Sequence, residues 1–354
     1  MRSLILLGDP DTKRAKYFLK AADILGQPVT VIALPSFTHP EETQCETDME
    51  TALTDFDFSR LQNHVVKVDP PPPASYPIDH VNTVTSRYHA FLLELQRVPG
   101  IRLLNSSDAI WNTMDKITCK QTLQRAGLPT TPALTEADGS PVRLGSLAQL
   151  REIMTEKRIH QVFIKPRMGS GAAGVAAYRF NAGTGAAIME TSAVLFNNRL
   201  RNTKKLRKTG DSDEIAAIVN RLLAQDAIVE SWVPKASHEG KTFDLRVVYQ
   251  FGRPEFITAR QSKGSITNLH LNDSALAVAD LALSASQFSD LESLCHEAAA
   301  LFPGLNVAGF DILLRQHTHD PMIIEINAQG DLIYQDIFAE NRIYQAQIRA
   351  MKSL

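Results

Sequence analysis

The sequence predicts an α/β domain followed by a larger α+β region built on antiparallel sheet. Three observations carry that reading. Residues 2–34 run strand, turn, helix, strand, whereas from residue 112 onward the strands come as hairpins. The last hairpin ends "MIIEINAQGD", which puts Glu325 and Asn327 two positions apart after an apolar run. Alternate side chains of a strand share a face, so these two oxygen-bearing groups point the same way.

The elements follow in order. Leu4–Leu7 is a short buried-strand run, Gly8-Asp9-Pro10 is turn chemistry, "TKRAKYFLKAADILG" is a helix stopped by Gly26, and "PVTVIAL" is a second strand. "DPPPPASYP" (69–77) excludes helix and inner strand and reads as a rigid connection. A helix over Asp79–Gln96 and the short strand "IRLL" complete the first domain. The predicted divisions are 1–108, 109–225 and 226–354. "NTMDKITCKQTLQRAGLPTTP" predicts one helix that starts at Asn112 or Thr113 and stops at Gly127. "QVFIKPRMGSGAAGVAAYRF" is strand, Gly-rich loop, strand, and "SDEIAAIVNRLLAQDAIVESWVP" is a helix running into a strand. "TFDLRVVYQFGRPEFITARQ" predicts a hairpin turning at Gly252-Arg253-Pro254. "SDLESLCHEAAALFPG" predicts a helix with a capping box from Ser289 to Glu292, and "VAGFDILLRQHTHDPMIIEIN" a second hairpin.

Composition narrows the function. A chain of 354 residues, 44% hydrophobic and 21% charged, has the balance of an ordinary soluble protein of two or three domains. A net charge of −2 gives no global attraction to nucleic acid or an anionic membrane, so neither is expected as a partner. Cys45, Cys119 and Cys295 are odd in number and lack CxxC spacing, which points to reduced thiols and a cytoplasmic location, not to disulfides or zinc. No stretch is long and apolar enough to span a bilayer, and Leu4–Leu7 is too short for a signal segment.

Two constellations carry chemistry. Gly169, Gly171 and Gly174 match GxGxxG, but a strand follows them where a dinucleotide fingerprint needs a helix. A protein-kinase loop would put its lysine after the glycines, whereas Lys165 precedes them, and the HRD and DFG segments are missing. What remains is a loop whose N–H groups, with Ser170 among them, can cradle phosphate beside the Lys165 charge. A plain Gly-rich turn with a surface lysine is the bland alternative. Asp311 in "AGFDILL" lies on the partner strand of "MIIEIN". Antiparallel pairing would bring its carboxylate to Glu325 and Asn327, three hard oxygen donors of the kind Mg²⁺ or Mn²⁺ prefers.

The order "MDK", "FIKPRMGSGAAGV", "IVESWV", "FDLRVV", "NLH", "GFDILL…IIEIN" over about residues 105–340 resembles the ATP-grasp superfamily. The resemblance is to the branch of glutathione synthetase and the RimK-type ribosomal-protein glutamate ligase. It implies an α/β domain followed by an α+β fold whose two subdomains grip ATP between antiparallel sheets. It assigns Lys116 and Lys165 to the phosphates and closes the loop 167–174 over them. Glu230 to Val233, with Trp232, become a hinge for adenine. Asp311, Glu325 and Asn327 become metal ligands, and Arg246, Arg260 and Asn268 active-site polar groups. For Trp232 simple packing, and for the two arginines plain exposure on a strand face, stand as alternatives.

Three departures matter. After "EIN" the chain reads "AQGDLIY", without the proline–glycine pair usual in the family. No clear ribose-binding acid follows the hinge at the usual distance, and Glu239 is a candidate. A longer segment, "NNRLRNTKKLRKTGDSD", carries six Lys/Arg between Arg199 and Lys208 and no acid there. Such a run reads as a solvated loop by default, or as a dock for an acidic peptide. The resemblance implies a ligase in which a carboxylate attacks ATP, an acyl-phosphate forms, and an amine displaces phosphate. A peptide or protein substrate is expected, with a homodimer common among relatives. A small-molecule amino-acid ligase, an ATP-grasp kinase and a non-catalytic ATP-binding protein are the alternatives.

Overall fold

The computed structural model describes residues 3–37, 56–71, 77–137, 139–169, 173–262, 264–266, 274–276, 278–281 and 283–354. Cys45, Ser170, Gly171 and Asn268 lie outside the described residues.

The first sheet is all parallel. It contains β1 (Leu4–Leu7), β2 (Val29–Ile32), β3 (Val65–Val68) and β4 (Arg102–Leu103) in the order β2-β1-β3-β4, with α1 (Lys13–Ile24) and α2 (Val81–Gln96) between strands. The strand period of two divides β1 between two cores. Ile5 and Leu7 pack with Tyr88, Phe91 and Leu92 of α2, while Leu4 and Leu6 pack with Phe18 of α1. Thr12 caps α1 by accepting a hydrogen bond from Ala15 N, and Gly26 at φ 60° ends it.

The next region begins with two helices where the sequence predicted one. α3 (Ser107–Met114) is capped by Ser106, and α4 (Lys116–Arg125) by Asp115. Thr113 is therefore inside a helix and starts none. Asp115 breaks the run because its carboxylate accepts from Ile117 N and Thr118 N, an alternative to continued helix. After α5 (Leu147–Glu156) come β5 (Gln161–Lys165), β6 (Ala176–Phe180), β7 (Ala187–Phe196), β8 (Arg199–Thr209), α6 (Ser212–Leu223) and β9 (Ile228–Ser231). The strands form an antiparallel sheet in the order β8-β7-β6-β5-β9. α6 covers one face with Ile215, Ile218, Val219, Leu222 and Leu223, an i, i+3, i+4, i+7 stripe.

The basic run is not a loop. Arg199–Thr209 is β8, an edge strand paired with β7 at Arg199–Asn202 and Arg207–Thr209, on either side of an irregularity at 203–206. Leu200 is fully buried, and its N–H donates to the Asp79 carboxylate at 2.7 Å. Charge concealed the strand from the sequence reading, yet lysines on an edge strand are a common defence against edge-to-edge pairing.

The last sheet has six strands: β10 (Ser237–His238), β11 (Lys241–Gln250), β12 (Arg253–Ser262), β13 (Ser274–Leu276), β14 (Val307–Leu314) and β15 (Pro321–Asn327). The path is β13-β12-β11-β14-β15, with β10 paired to β11. The β11–β12 turn lies at Phe251-Gly252, just before the predicted place, with φ of 51° and 88°. Two consecutive positive φ values match the twist of a two-residue hairpin, which explains why Pro254 sits in the strand and not in the turn. The N-cap of α7 (Ala285–Ala300) lies five residues before the predicted box at Ser289, and its capping box joins Ser284 and Gln287. Two short helices close the chain, α8 (Tyr334–Ile337) and α9 (Arg342–Met351), and α9 packs Tyr344 edge-on against Phe18 of α1 at 5.8 Å.

Asn105, just past β4, joins the first sheet to the last. Its Nδ2 donates to Val307 O (2.8 Å) and Ala328 O (2.6 Å), and its Oδ1 accepts from Asn306 N and Val307 N. Asn105→Ala strips four partners from largely buried backbone groups and should cost on the order of 3 kcal/mol, read as a lower urea midpoint. A loss below about 1 kcal/mol would show that the junction is held by other contacts.

Candidate active site

The register of the last sheet builds the acidic side. Arg246 of β11 stands opposite Asp311 of β14, which stands opposite Glu325 of β15. A bulge at Ile324 follows, since Ile312 pairs with Ile323, and it lets Glu325 share the row without shifting the apolar residues behind it. Asn327 Nδ2 donates to Glu325 Oε1 at 3.1 Å, so the two side chains do share a face. Asp311 Oδ1 is approached by Arg246 Nε (2.9 Å) and Arg260 Nη2 (3.2 Å). Neither arginine is an exposed strand-face residue: both lie in the site, and Arg260 is buried.

Asp244, two residues before Arg246 on β11, was not singled out from the sequence, although the period of two placed it there. Its buried carboxylate holds Arg260 Nε at 2.7 Å and Lys235 Nζ at 3.0 Å. Charges therefore alternate Lys235, Asp244, Arg260, Asp311, Arg246. Gly309 and Gly330 make room for the last of these. A Cβ on Gly330 would lie 2.8 Å from Arg246 Nη1 and 2.9 Å from Gly309 Cα. Arg246 Nη1 is buried and has no hydrogen-bond partner among the described residues.

The other sheet and α4 supply lysines. Lys116, the first residue of α4, donates from Nζ to Gly169 O at 2.5 Å and lies 4.0 Å from Glu325 Oε2. Its backbone N–H donates to Arg167 O, and the Arg167 guanidinium forms a fork on the Asp115 carboxylate at 2.9 and 2.6 Å. The start of the Gly-rich loop is thus tied to the cap of α4. Gly169 and Gly174 have φ of 107° and 71°. Gly174 is a wedge: a Cβ would meet Pro166 Cγ at 2.9 Å and Leu222 Cδ2 at 3.2 Å.

Lys165 at the end of β5 donates to Glu230 Oε2 at 2.8 Å, and Lys120 Nζ reaches Glu230 Oε1 at 3.1 Å. Lys120 was also missed, though it lies one helical turn beyond Lys116 on α4. The Glu230 side chain is a buried anchor for two ammonium groups. In the segment expected to form the hinge, Ser231 N and Trp232 N already donate to Pro132 O and Gln161 O. The Trp232 ring stacks on Phe163 at 4.8 Å beneath the Arg179 guanidinium, a packing contact. Val233 follows directly, and a cleft of about 530 Å³ opens beside this stretch, lined by Gln161, Ser231 and Trp232. Glu239 sits at φ 51° in the turn between β10 and β11.

Electrostatics make the site a receptor for anions. Burial acts to raise Glu325, but Lys116 and Lys165 outweigh it and hold the carboxyl down at about 2. Burial lowers the ammonium of Lys116, against Glu325, whereas Glu230 overcomes burial at Lys165 and raises it. Burial pushes the Asp311 carboxyl up while the two arginines pull it down. Among the described residues no three His, Cys, Asp or Glu side chains are placed to hold a metal ion. Two carboxylates and the Asn327 amide instead form a partial set of hard oxygen donors, which fits Mg²⁺ completed by ligand oxygens.

No protein-family model matches the chain, and no curated protein sequence matches it. Solved structures do match, along the whole chain. The complex of ATP-grasp ligase PsnB with a phosphomimetic variant of minimal precursor, Mg and ADP is 15% identical, with 99% of each chain covered and a TM-score of 0.55. The fold is ATP-grasp. Macrocyclase MdnC from Microcystis aeruginosa, bound with precursor peptide MdnA, is 12% identical over 100% of both chains at a TM-score of 0.55. An ADP complex of N5-carboxyaminoimidazole ribonucleotide synthetase is 13% identical over 100% of this chain and 77% of that one, at a TM-score of 0.60. The two antiparallel sheets are the halves of the ATP-grasp fold. Lys165 and Glu230 come from one and Arg246, Arg260, Asp311, Glu325 and Asn327 from the other.

Proposed function

We propose that the protein is an ATP-dependent carboxylate–amine ligase acting through an acyl-phosphate on a peptide or protein substrate. The observation that carries the reading is the buried Arg246 Nη1, unpartnered among the described residues, within a row of ionised groups that faces Lys116 of α4 and Lys165 of the other sheet. A buried donor without an acceptor is costly, and a phosphate oxygen would satisfy it.

In this reading Lys116, Lys165 and the Gly-rich loop bind the phosphates, and Glu230 to Val233 is the hinge whose backbone recognises adenine. Asp311, Glu325 and Asn327 hold Mg²⁺, or Mn²⁺, whose bound charge offsets that of the phosphates. Arg246 and Arg260 neutralise the transferred phosphoryl group and the acyl-phosphate. The protein contributes alignment, charge and exclusion of water, and needs no covalent nucleophile of its own. The order of the motifs is what supports assigning the chain to the glutathione-synthetase and RimK-type branch. The peptide preference draws on the precursor peptides bound by PsnB and MdnC and on the exposed basic edge β8.

The direct test is an ADP-release screen with Mg²⁺ over amino acids and acidic peptides, followed by mass spectrometry of the product. Loss of one water from a peptide, or addition of one residue, supports ligation, and a phosphorylated product contradicts it. Glu325→Gln and Asp311→Asn keep the shape of each ligand and remove its charge, so each should lower ADP release by about a hundredfold or more. Wild-type turnover in either variant removes the metal assignment.

The basic strand has a separate signature. Lys205, Arg207 and Lys208 are exposed, and Arg207 is partly engaged by Glu214 at 2.7 Å. Replacing all three by serine should raise the KM for an acidic peptide substrate and flatten its salt dependence, with kcat little changed. An unaltered KM and salt response would leave β8 as an edge strand only.

A further inference from the structure

Lys120 is too enclosed to reach a ligand, yet it touches the residue that holds Lys165. An ammonium has three N–H donors. Those of Lys120 go to Thr131 O (2.7 Å), Thr131 Oγ1 (2.7 Å) and Glu230 Oε1 (3.1 Å), and the residue is 4% exposed. Thr131 Oγ1 in turn donates to Glu230 Oε2 at 2.9 Å. Lys165 donates to Glu230 at 2.8 Å and has further N–H capacity. One buried carboxylate is therefore shared by two ammonium groups, and only one of them borders the site.

We propose that Lys120 is a positioning residue that neutralises Glu230, so that Lys165 presents an unspent positive charge to the phosphates. The inference rests on the nucleotide reading of the site. The trio carries one net positive charge. Without Lys120, Lys165 and Glu230 form a neutral buried pair whose attraction for an anion is much weaker, and moving Lys165 onto a phosphate would strand the Glu230 charge. With Lys120 present, Glu230 keeps a counter-ion and the Thr131 hydroxyl whatever Lys165 binds. Burial and the nearby Lys165 charge lower the Lys120 ammonium in spite of Glu230, as expected for a cation kept in place by one shared carboxylate.

The test is calorimetric binding of Mg²⁺ with a non-hydrolysable ATP analogue, measured for Lys120→Met alone and in a Glu230→Gln background, with urea midpoints for each protein. Lys120→Met should weaken binding roughly tenfold or more in the wild type and less than about threefold in Glu230→Gln, where no carboxylate needs neutralising. Lys120→Arg, which keeps the charge, should bind like the wild type. An equal loss in both backgrounds, or none in the wild type, overturns the proposal and makes Lys120 a packing residue. Should Lys120→Met not fold, Lys120→Gln replaces it in the same comparison with the same criteria. A wild-type protein that binds no analogue would overturn the nucleotide reading itself, a result distinguishable from a failure at Lys120.

Discussion

The site depends on the register of three strands, β11, β14 and β15. Because side chains alternate along a strand, a slip of one residue between any pair would turn its polar set to the opposite face and bring apolar residues into the cleft. β14 is buried along its whole length, with Ala308, Phe310, Ile312 and Leu314 in the main core, so that slip is prohibitively costly. The hydrophobic pattern of the central strand thereby fixes Asp311 between Arg246 and Glu325. The bulge at Ile324 then adjusts the end of β15, so that Glu325 and Asn327 finish the strand on the side of the lysines.

That frame explains how so many charges are tolerated indoors. An isolated buried charge costs several kcal/mol, whereas an alternating chain gives each member opposite neighbours. Lys235, Asp244, Arg260, Asp311 and Arg246 form one such chain, and Lys120, Glu230 and Lys165 another. Cations outnumber carboxylates in both, which biases the cleft towards anions. The first domain contributes rigidity as well. Gln329, two residues after Asn327, donates to Val68 O at 2.8 Å, and Asp331 is buried between Arg14, Lys67 and Gln347. This arrangement secures the segment where the chain departs from the proline–glycine pattern.

The sequence disclosed what periodicity and spacing encode. The opening α/β pattern, both hairpins of the last sheet and the facing of Asp311 with Glu325 were legible because each follows from strand alternation and turn chemistry. Long-range pairings were not. Nothing near Glu230 shows that Lys120 and Lys165, from a helix and a strand far apart in sequence, would close on its carboxylate. Asp244 and Lys120 carried a local signal, at i−2 from Arg246 and i+4 from Lys116, that becomes meaningful once their neighbours are known to face the cleft. Local chemistry also misled. Asp115 split a predicted helix by capping the second half, Ser284 in place of Ser289 capped α7, and the lysines of β8 concealed an edge strand. The roles of Ser170, Gly171 and Asn268 fall outside the described residues.

The central claim is that Lys116 of α4, Lys165 of one sheet and the acidic row of the other enclose a single nucleotide–metal site. A crystal structure of the protein with Mg²⁺ and a non-hydrolysable ATP analogue tests it most directly. The account predicts phosphate oxygens on Lys116, Lys165 and Arg246 Nη1, with a metal ion bridging them to Asp311, Glu325 and Asn327. A nucleotide bound elsewhere, or one whose phosphates and metal avoid these residues, would contradict it.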